Sequence, residues 1–243
     1  MKFLFWNVDT QIDFMEANGK LPVASAILIK PALKRTTRLA TEKNITVINT
    51  ADLHNDNSPE LSENPDFINT FPPHCIKDTD GSKFVSEVSF DLKTASVVNW
   101  FDETLNKENI FKRNIFITKD KFNAFEGNKY TEEIVKTINP KIVIVYGVAA
   151  NVCVDAAVME LAKRGYIVYV VFDAIKELPQ IPIDAVIEKW VKAGVKFACS
   201  DWQVPQYCYD LYNLIIKMSG NKPIELSTLI DLDGNEKLAP DNR

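Results

Sequence analysis

Histidine is nearly absent from this chain of 243 residues. There are two, His54 and His74. Any site built on three histidines is excluded. The four cysteines, Cys75, Cys153, Cys199 and Cys208, include no C-x-x-C pair, which argues against a zinc ribbon or a thioredoxin-type motif. In a reducing compartment they are free thiols. No apolar run approaches the ~18 residues needed to cross a bilayer. The N-terminal stretch from Lys2 to Trp6 meets Asp9 too soon for a signal-peptide core, so a cytoplasmic location is expected. Positive charge is not in surplus. The formal net charge is −5, so neither a nucleic-acid nor a membrane partner is expected. There is no internal repeat and no low-complexity tract.

What is present alternates. Buried-strand patterns run over Phe3 to Val8, Ile45 to Thr50, Asn114 to Thr118, Ile142 to Tyr146, Ile167 to Phe172 and Val195 to Ala198. Helical patterns lie between them, over Ala24 to Glu42, Tyr130 to Ile138, Cys153 to Arg164 and Ile183 to Ala193. Two weaker strands (Ser86 to Leu92, Ser96 to Asn99) and a short helix (Phe101 to Lys107) are expected between residues 84 and 113. The class is α/β: a doubly wound, mostly parallel six-stranded sheet in a three-layer, Rossmann-like arrangement, with helices on both faces. Residues 1–204 form the expected domain. Residues 205–243 read as a C-terminal appendage, with a helix over Tyr207 to Met218.

In such sheets ligands bind beyond the carboxyl ends of the strands. Asp9, Asp52, Lys119 and the turn before Cys153 all fall there. Cys153 begins a helix, where free backbone N–H groups and partial positive charge favour a thiolate. An ammonium such as Lys119 adds to that, and a carboxylate such as Asp9 can take the thiol proton. The histidines lie elsewhere in the pattern, so acid plus amine is the arrangement left for the sulfur.

A second cluster is Asp52-Leu53-His54 with Phe71-Pro72-Pro73-His74. In an extended segment Asp52 and His54 point to one side. His74 on a rigid turn would complete three corners of a divalent metal site. Oxygen and imidazole donors suit zinc, iron or manganese. Glu60 is a candidate further ligand and Glu63 a poorer one, with water filling open positions.

Together these segments resemble the isochorismatase-like cysteine hydrolases, and within them the nicotinamidase/pyrazinamidase branch. The resemblance spans roughly residues 2 to 200. It is carried by Val8-Asp9-Thr10-Gln11-Ile12-Asp13-Phe14, by Lys119 to Phe125, by Gly147 to Val154 and by the two metal segments. It implies an amide hydrolase with Asp9, Lys119 and Cys153 catalytic, working through a Cys thioester on nicotinamide. It also implies a cis peptide between Val148 and Ala149, and an oxyanion hole made by the N–H groups of Ala149 and Cys153. Phe14, Phe71 and Phe122 would surround a flat ring. The cofactor would be a divalent metal, zinc first, held by Asp52, His54, His74 and Glu60. A homo-oligomer is consistent with it. The chain departs from the pattern after Cys75, where Lys77-Asp78-Thr79 replaces the usual Gly-Thr pair. Two alternatives stay open: an amidase of the same family acting on a carbamoyl or ureido substrate, and an inactive metal-binding or interaction protein.

Overall fold

A computed structural model of the chain describes residues 2–55, 57–88 and 95–233. Eight strands form one sheet: β1 (Phe3–Val8), β2 (Val47–Asp52), β3 (Ala95–Val98), β4 (Asn114–Lys119), β5 (Ile142–Val148), β6 (Ile167–Lys176), β7 (Lys196–Cys199) and β8 (Ile224–Glu225). Their order is β3-β4-β2-β1-β5-β6-β7-β8, and every pairing is parallel. The sheet therefore has two strands more than the expected six. One is β3, foreshadowed only weakly in sequence. The other is β8, two residues long and too short to leave a pattern. Of the expected strand from Ser86 to Leu92, residues 86–88 form a short 3-10 turn, and 89–92 lie outside the described residues.

Strand composition explains the two-sided burial. Along β1, Leu4, Trp6 and Val8 enter one core, while Phe3 and Phe5 enter the other. Both faces are apolar because both are covered, as parallel sheets require. The first face carries α4 (Thr131–Ile138), α5 (Cys153–Lys163), α6 (Ile183–Lys192) and α7 (Tyr209–Ser219). They contribute residues such as Ile134, Val158, Trp190 and Ile215. The second carries α2 (Lys30–Glu42) and α8 (Leu226–Asp233), through Ala32, Leu33, Leu226 and Leu229. Two short helices, α1 (Ile12–Met15) and α3 (Ala124–Gly127), follow β1 and β4 directly. The expected helix from Ala24 to Glu42 is split. It begins as a 3-10 turn over Ala26–Ile29 and becomes α-helical from Lys30, with Pro31 in the first turn, where its missing N–H costs nothing. The expected helix over residues 101–107 does not form. A 3-10 segment at Lys107–Phe111 follows instead. Residues 205–233 pack on the same sheet: β8 extends it beyond β7, and Cys208 and Ile215 join the first core.

The chain runs outward from β1 to β2 and β4, then returns to the other side of β1 through β5. This reversal is the topological switch point. Closeness here depends on a glycine. Gly147 in β5 has φ +122, and a Cβ there would come within 2.0 Å of the Val8 carbonyl oxygen. Gly147→Ala should lower stability by about 3 kcal/mol or more, combining a disfavoured backbone with overlap on fixed backbone. A urea midpoint near that of the unmutated protein would refute this account of the β1–β5 contact.

Candidate active site

Parallel register brings the polar residues to one rim. Val8 pairs with Thr50 and with Gly147, and Asp52 pairs with Lys119. Thus β4, β2, β1 and β5 deliver Lys119, Asp52, Asp9 and the Cys153 turn side by side. Asp9 leaves β1 with φ 48, a left-handed conformation that Asp tolerates better than most residues. Its N–H is held by the Thr50 carbonyl at 3.1 Å, and its Oδ1 accepts from Thr50 Oγ1 at 2.7 Å. Thr50 is thus a positioning residue that sequence reading passes over as ordinary strand.

Lys119 Nζ stands 2.9 Å from Asp9 Oδ2 and 3.7 Å from Cys153 Sγ, and is ion-paired to Asp52 Oδ1. Lys119, Asp9 and Asp52 are all buried. Two carboxylates against one ammonium leave one negative charge in excess. Burial by itself would lower the Lys119 pKa, but Asp52 and Asp9 outweigh it and raise it well above its ordinary value. Asp52 is held well below the carboxylate range: burial pushes it up, and Lys119 and the two histidines overcome that. Asp9 moves up, because burial and the Asp52 charge outweigh Lys119.

Burial pushes the Cys153 thiol well above its usual range. Lys119 pulls it down, but Asp9 and Asp52 add to the push. Lys119 thus opposes the effect of burial on the sulfur without outweighing it, and the Asp9 side chain is the hydrogen-bond partner placed to take the thiol proton.

Cys153 opens α5 after a turn in which the Val148–Ala149 peptide is cis. Ala149 offers its carbonyl to the N–H groups of Val152 and Val154. Among the described residues, no acceptor takes the N–H of Ala149 or of Cys153. Two free donors flank the sulfur, as an oxyanion hole needs. Asn151 supports the turn: its Nδ2 donates to the carbonyls of Leu178 at 2.6 Å and Ile181 at 2.8 Å, and its Oδ1 accepts from the Leu178 N–H at 3.0 Å.

The metal candidates converge beside this group. Donor atoms of Asp52, His54 and His74 lie within 4.8 Å of one another, all buried. Asp52 Oδ2 is 3.9 Å from His54 Nε2 and 3.6 Å from His74 Nε2. His74 Nδ1–H donates to the Pro72 carbonyl at 2.7 Å, which leaves Nε2 to face the carboxylate. Neither ring nitrogen of His54 has a hydrogen-bond partner, and burial drives its pKa down to about 4. An orphaned, neutral imidazole beside a second one and a carboxylate fits a divalent ion of the zinc, iron or manganese class. Asp9, Asp52 and Cys153 also converge within 4.8 Å, but the cation among them is the Lys119 ammonium.

Glu60 is not one of the three converging donors. Its Oε1 accepts from the Phe122 N–H at 2.8 Å, and burial raises its pKa to about 7. Glu63 is exposed. One cavity is lined by Glu60, Asp52, His74, Ala149 and Cys153 together with Phe14, Phe71 and Phe122; Leu21, Val23, Val152 and Leu178 complete it. Phe14 packs on His74 at 5.2 Å between ring centroids, and Phe71 at 6.3 Å. Gln11 was not singled out in sequence. It clasps the Asp52 backbone, Nε2 to the carbonyl and Oε1 from the N–H, both at 2.8 Å.

A doubly wound parallel sheet with a buried acid, amine and thiol at its switch point defines a class: α/β proteins with a cysteine at the head of the helix after the central strands. Known proteins place it further. Residues 4–201 match the isochorismatase domain model, so the chain belongs to the isochorismatase family and is one of its hydrolases. A nicotinamidase/pyrazinamidase of Mycobacterium tuberculosis is 24% identical over 197 residues, covering 79% of this chain and 96% of that protein. The zinc complex of a pyrazinamidase from Pyrococcus horikoshii superposes with a TM-score of 0.66 at 25% identity, over 82% of this chain and 99% of that one. An N-carbamoylsarcosine amidase from Thermoplasma acidophilum shares the fold at 19% identity and TM-score 0.64, over 83% and 98%. Among the described residues no helix is long and apolar enough to cross a membrane.

Proposed function

We propose that the chain is a metal-dependent amidase of the nicotinamidase type, converting nicotinamide and water to nicotinate and ammonia. One observation carries this reading: the phenylalanine-lined cavity that Cys153 lines is lined also by Asp52 and His74, two of the three converging donors, with His54 buried behind them. A cavity of that kind suits a flat heteroaromatic ring with an amide at one end and a basic nitrogen at the other. The names of the relatives point the same way.

In this mechanism Asp9 accepts the Cys153 proton as the sulfur attacks the amide carbon. Lys119 lies in contact range of both and offsets the charge carried by carboxylate and sulfur in turn. The amide oxygen, now negative, takes hydrogen bonds from the Ala149 and Cys153 N–H groups. The C–N bond then breaks, and Asp9 returns the proton to the leaving nitrogen, which departs as ammonia. Water attacks the resulting thioester. Asp9 takes its proton, the C–S bond breaks, and that proton restores the thiol as nicotinate forms. Asp52, His54 and His74 would hold the metal, with Glu60 on the wall of the same cavity. When bound, such an ion supplies a Lewis-acid anchor for the ring nitrogen and withdraws electron density from the amide.

Zinc-loaded protein should release ammonia from nicotinamide. Chelation should cut that rate by about tenfold or more, through lost positioning, and zinc should restore it. The fold shared with a carbamoyl-substrate amidase motivates the rival arm. A carbamoyl or ureido substrate has no ring nitrogen to anchor, so its turnover would survive stripping. Chelator-resistant hydrolysis of such a substrate, with none of nicotinamide, would replace the reading proposed here.

A further inference from the structure

Resting on the metal half of that reading, we propose that Asp13 is a positioning residue: its buried carboxylate sets the metal-donor loop. Asp13 lies in α1, one helical turn beyond Asp9, and does not line the cavity. Both of its oxygens are taken by backbone from separate loops. Oδ2 accepts from the Cys75 N–H at 2.7 Å, and Oδ1 from the Lys20 N–H at 2.9 Å. The Asp13 carbonyl also accepts from the Leu21 N–H at 3.1 Å, so the wall residue Leu21 hangs on the same position.

Cys75 is the junction. It follows His74 directly and holds φ 46, a left-handed conformation unusual for a residue with a side chain. Its N–H goes to Asp13, and its carbonyl accepts from the His54 N–H at 3.1 Å. Lys77 N–H returns to the His54 carbonyl at 2.9 Å. One residue thus ties both histidine segments together, and Asp13 ties that residue to the helix after β1. Ionised carboxylates bind backbone N–H groups more strongly than neutral acceptors do. The neighbourhood is cut to fit. A Cβ on Gly81 would come within 2.2 Å of Asp13 Oδ2, and one on Gly19 within 2.2 Å of the Asp13 carbonyl oxygen.

The test is zinc affinity of the full chain, read by titration against a competing chromophoric chelator. Asp13→Asn keeps the shape but turns an acceptor into a donor facing an N–H. Zinc Kd should rise about tenfold, the lower end of what losing a direct outer partner of a metal ligand costs, because Asp13 acts one residue removed from His74. Alkylation of Cys153 by iodoacetamide should keep its rate. Gly81→Ala provides a second route, since it retains the charge and displaces the carboxylate. It should weaken zinc in the same direction even if Asp13→Asn fails to fold. A merely structural role would lower the melting temperature of the metal-free protein and leave Kd where it was. That result in a folded variant overturns the inference while sparing the proposed function. A wild-type chain that takes up no zinc would sink the metal half of that function, and this inference with it.

Discussion

Cys153→Ala should abolish ammonia release from nicotinamide, lowering turnover by about four orders of magnitude or more, as loss of a covalent nucleophile does. The expectation rests on placement. Cys153 is the cysteine lining the cavity, with Lys119 Nζ 3.7 Å away and unclaimed N–H groups beside it. Cys75, Cys199 and Cys208 are buried elsewhere, with thiols likewise pushed up by burial. None of them can substitute. Removing one sulfur takes no donor from Asp52, His54 or His74, so zinc content should be unchanged. The assay pairs ammonia detection with metal analysis of the same sample. Substantial turnover in the variant would reject the nucleophile assignment, and loss of zinc would show that the two clusters are not separable.

Replacing Lys119 should harm both stability and activity. Lys119→Met removes the one ammonium between two buried carboxylates. Breaking a buried ion pair from one side costs about 3–5 kcal/mol, because the remaining charge stays buried without a partner. Turnover should fall with it, since nothing then offsets the negative charge passing between Asp9 and the sulfur. The pH dependence has a definite sign. Asp9 is already raised by burial despite Lys119. Without the lysine it rises further. A carboxyl whose folded pKa exceeds its unfolded value contributes stability that is fully present below the unfolded pKa, about 3.9, and lost as pH rises through the folded one. The deficit of Lys119→Met against the unmutated protein should therefore be largest near neutrality and shrink as pH falls toward 4. Urea unfolding of chelator-treated protein at several pH values reads this directly. A deficit independent of pH would mean that the lysine acts through packing alone.

Much of the architecture was legible because it follows from apolar periodicity. β1, β4, β5 and α4 to α6 lie within a few residues of the expected spans. Errors occurred where long-range pairing sets the boundary. β2 was expected to end at Thr50, yet the ladder with β4 carries it to Asp52. β6 runs to Lys176 because a register shift in β5 lets Gly147 pair with Ile175. β8 has two residues and no periodicity of its own; it exists because β7 offers an open edge.

The site divides similarly. Asp9, Lys119, Cys153, Asp52 and His54 stood out because reactive residue types sat at or just beyond strand ends, and His74 because it followed a rigid Pro-Pro turn. Thr50, Gln11, Asp13 and Asn151 did not, because their work is hydrogen bonding to backbone distant in sequence. The upward push on the sulfur's pKa was also out of reach, since burial causes it.

The amino-acid sequence by itself determined the α/β class, the strand ends that carry reactive groups and the membership suggested by their order. These are local: they depend on side-chain type and spacing along the chain. The tertiary structure alone decided that four strand ends become neighbours and that one ammonium serves two carboxylates. It also decided that burial pushes the thiol pKa up and that Asp13 reaches the histidine loop. Those outcomes arise from burial and from through-space distance, which no stretch of sequence contains.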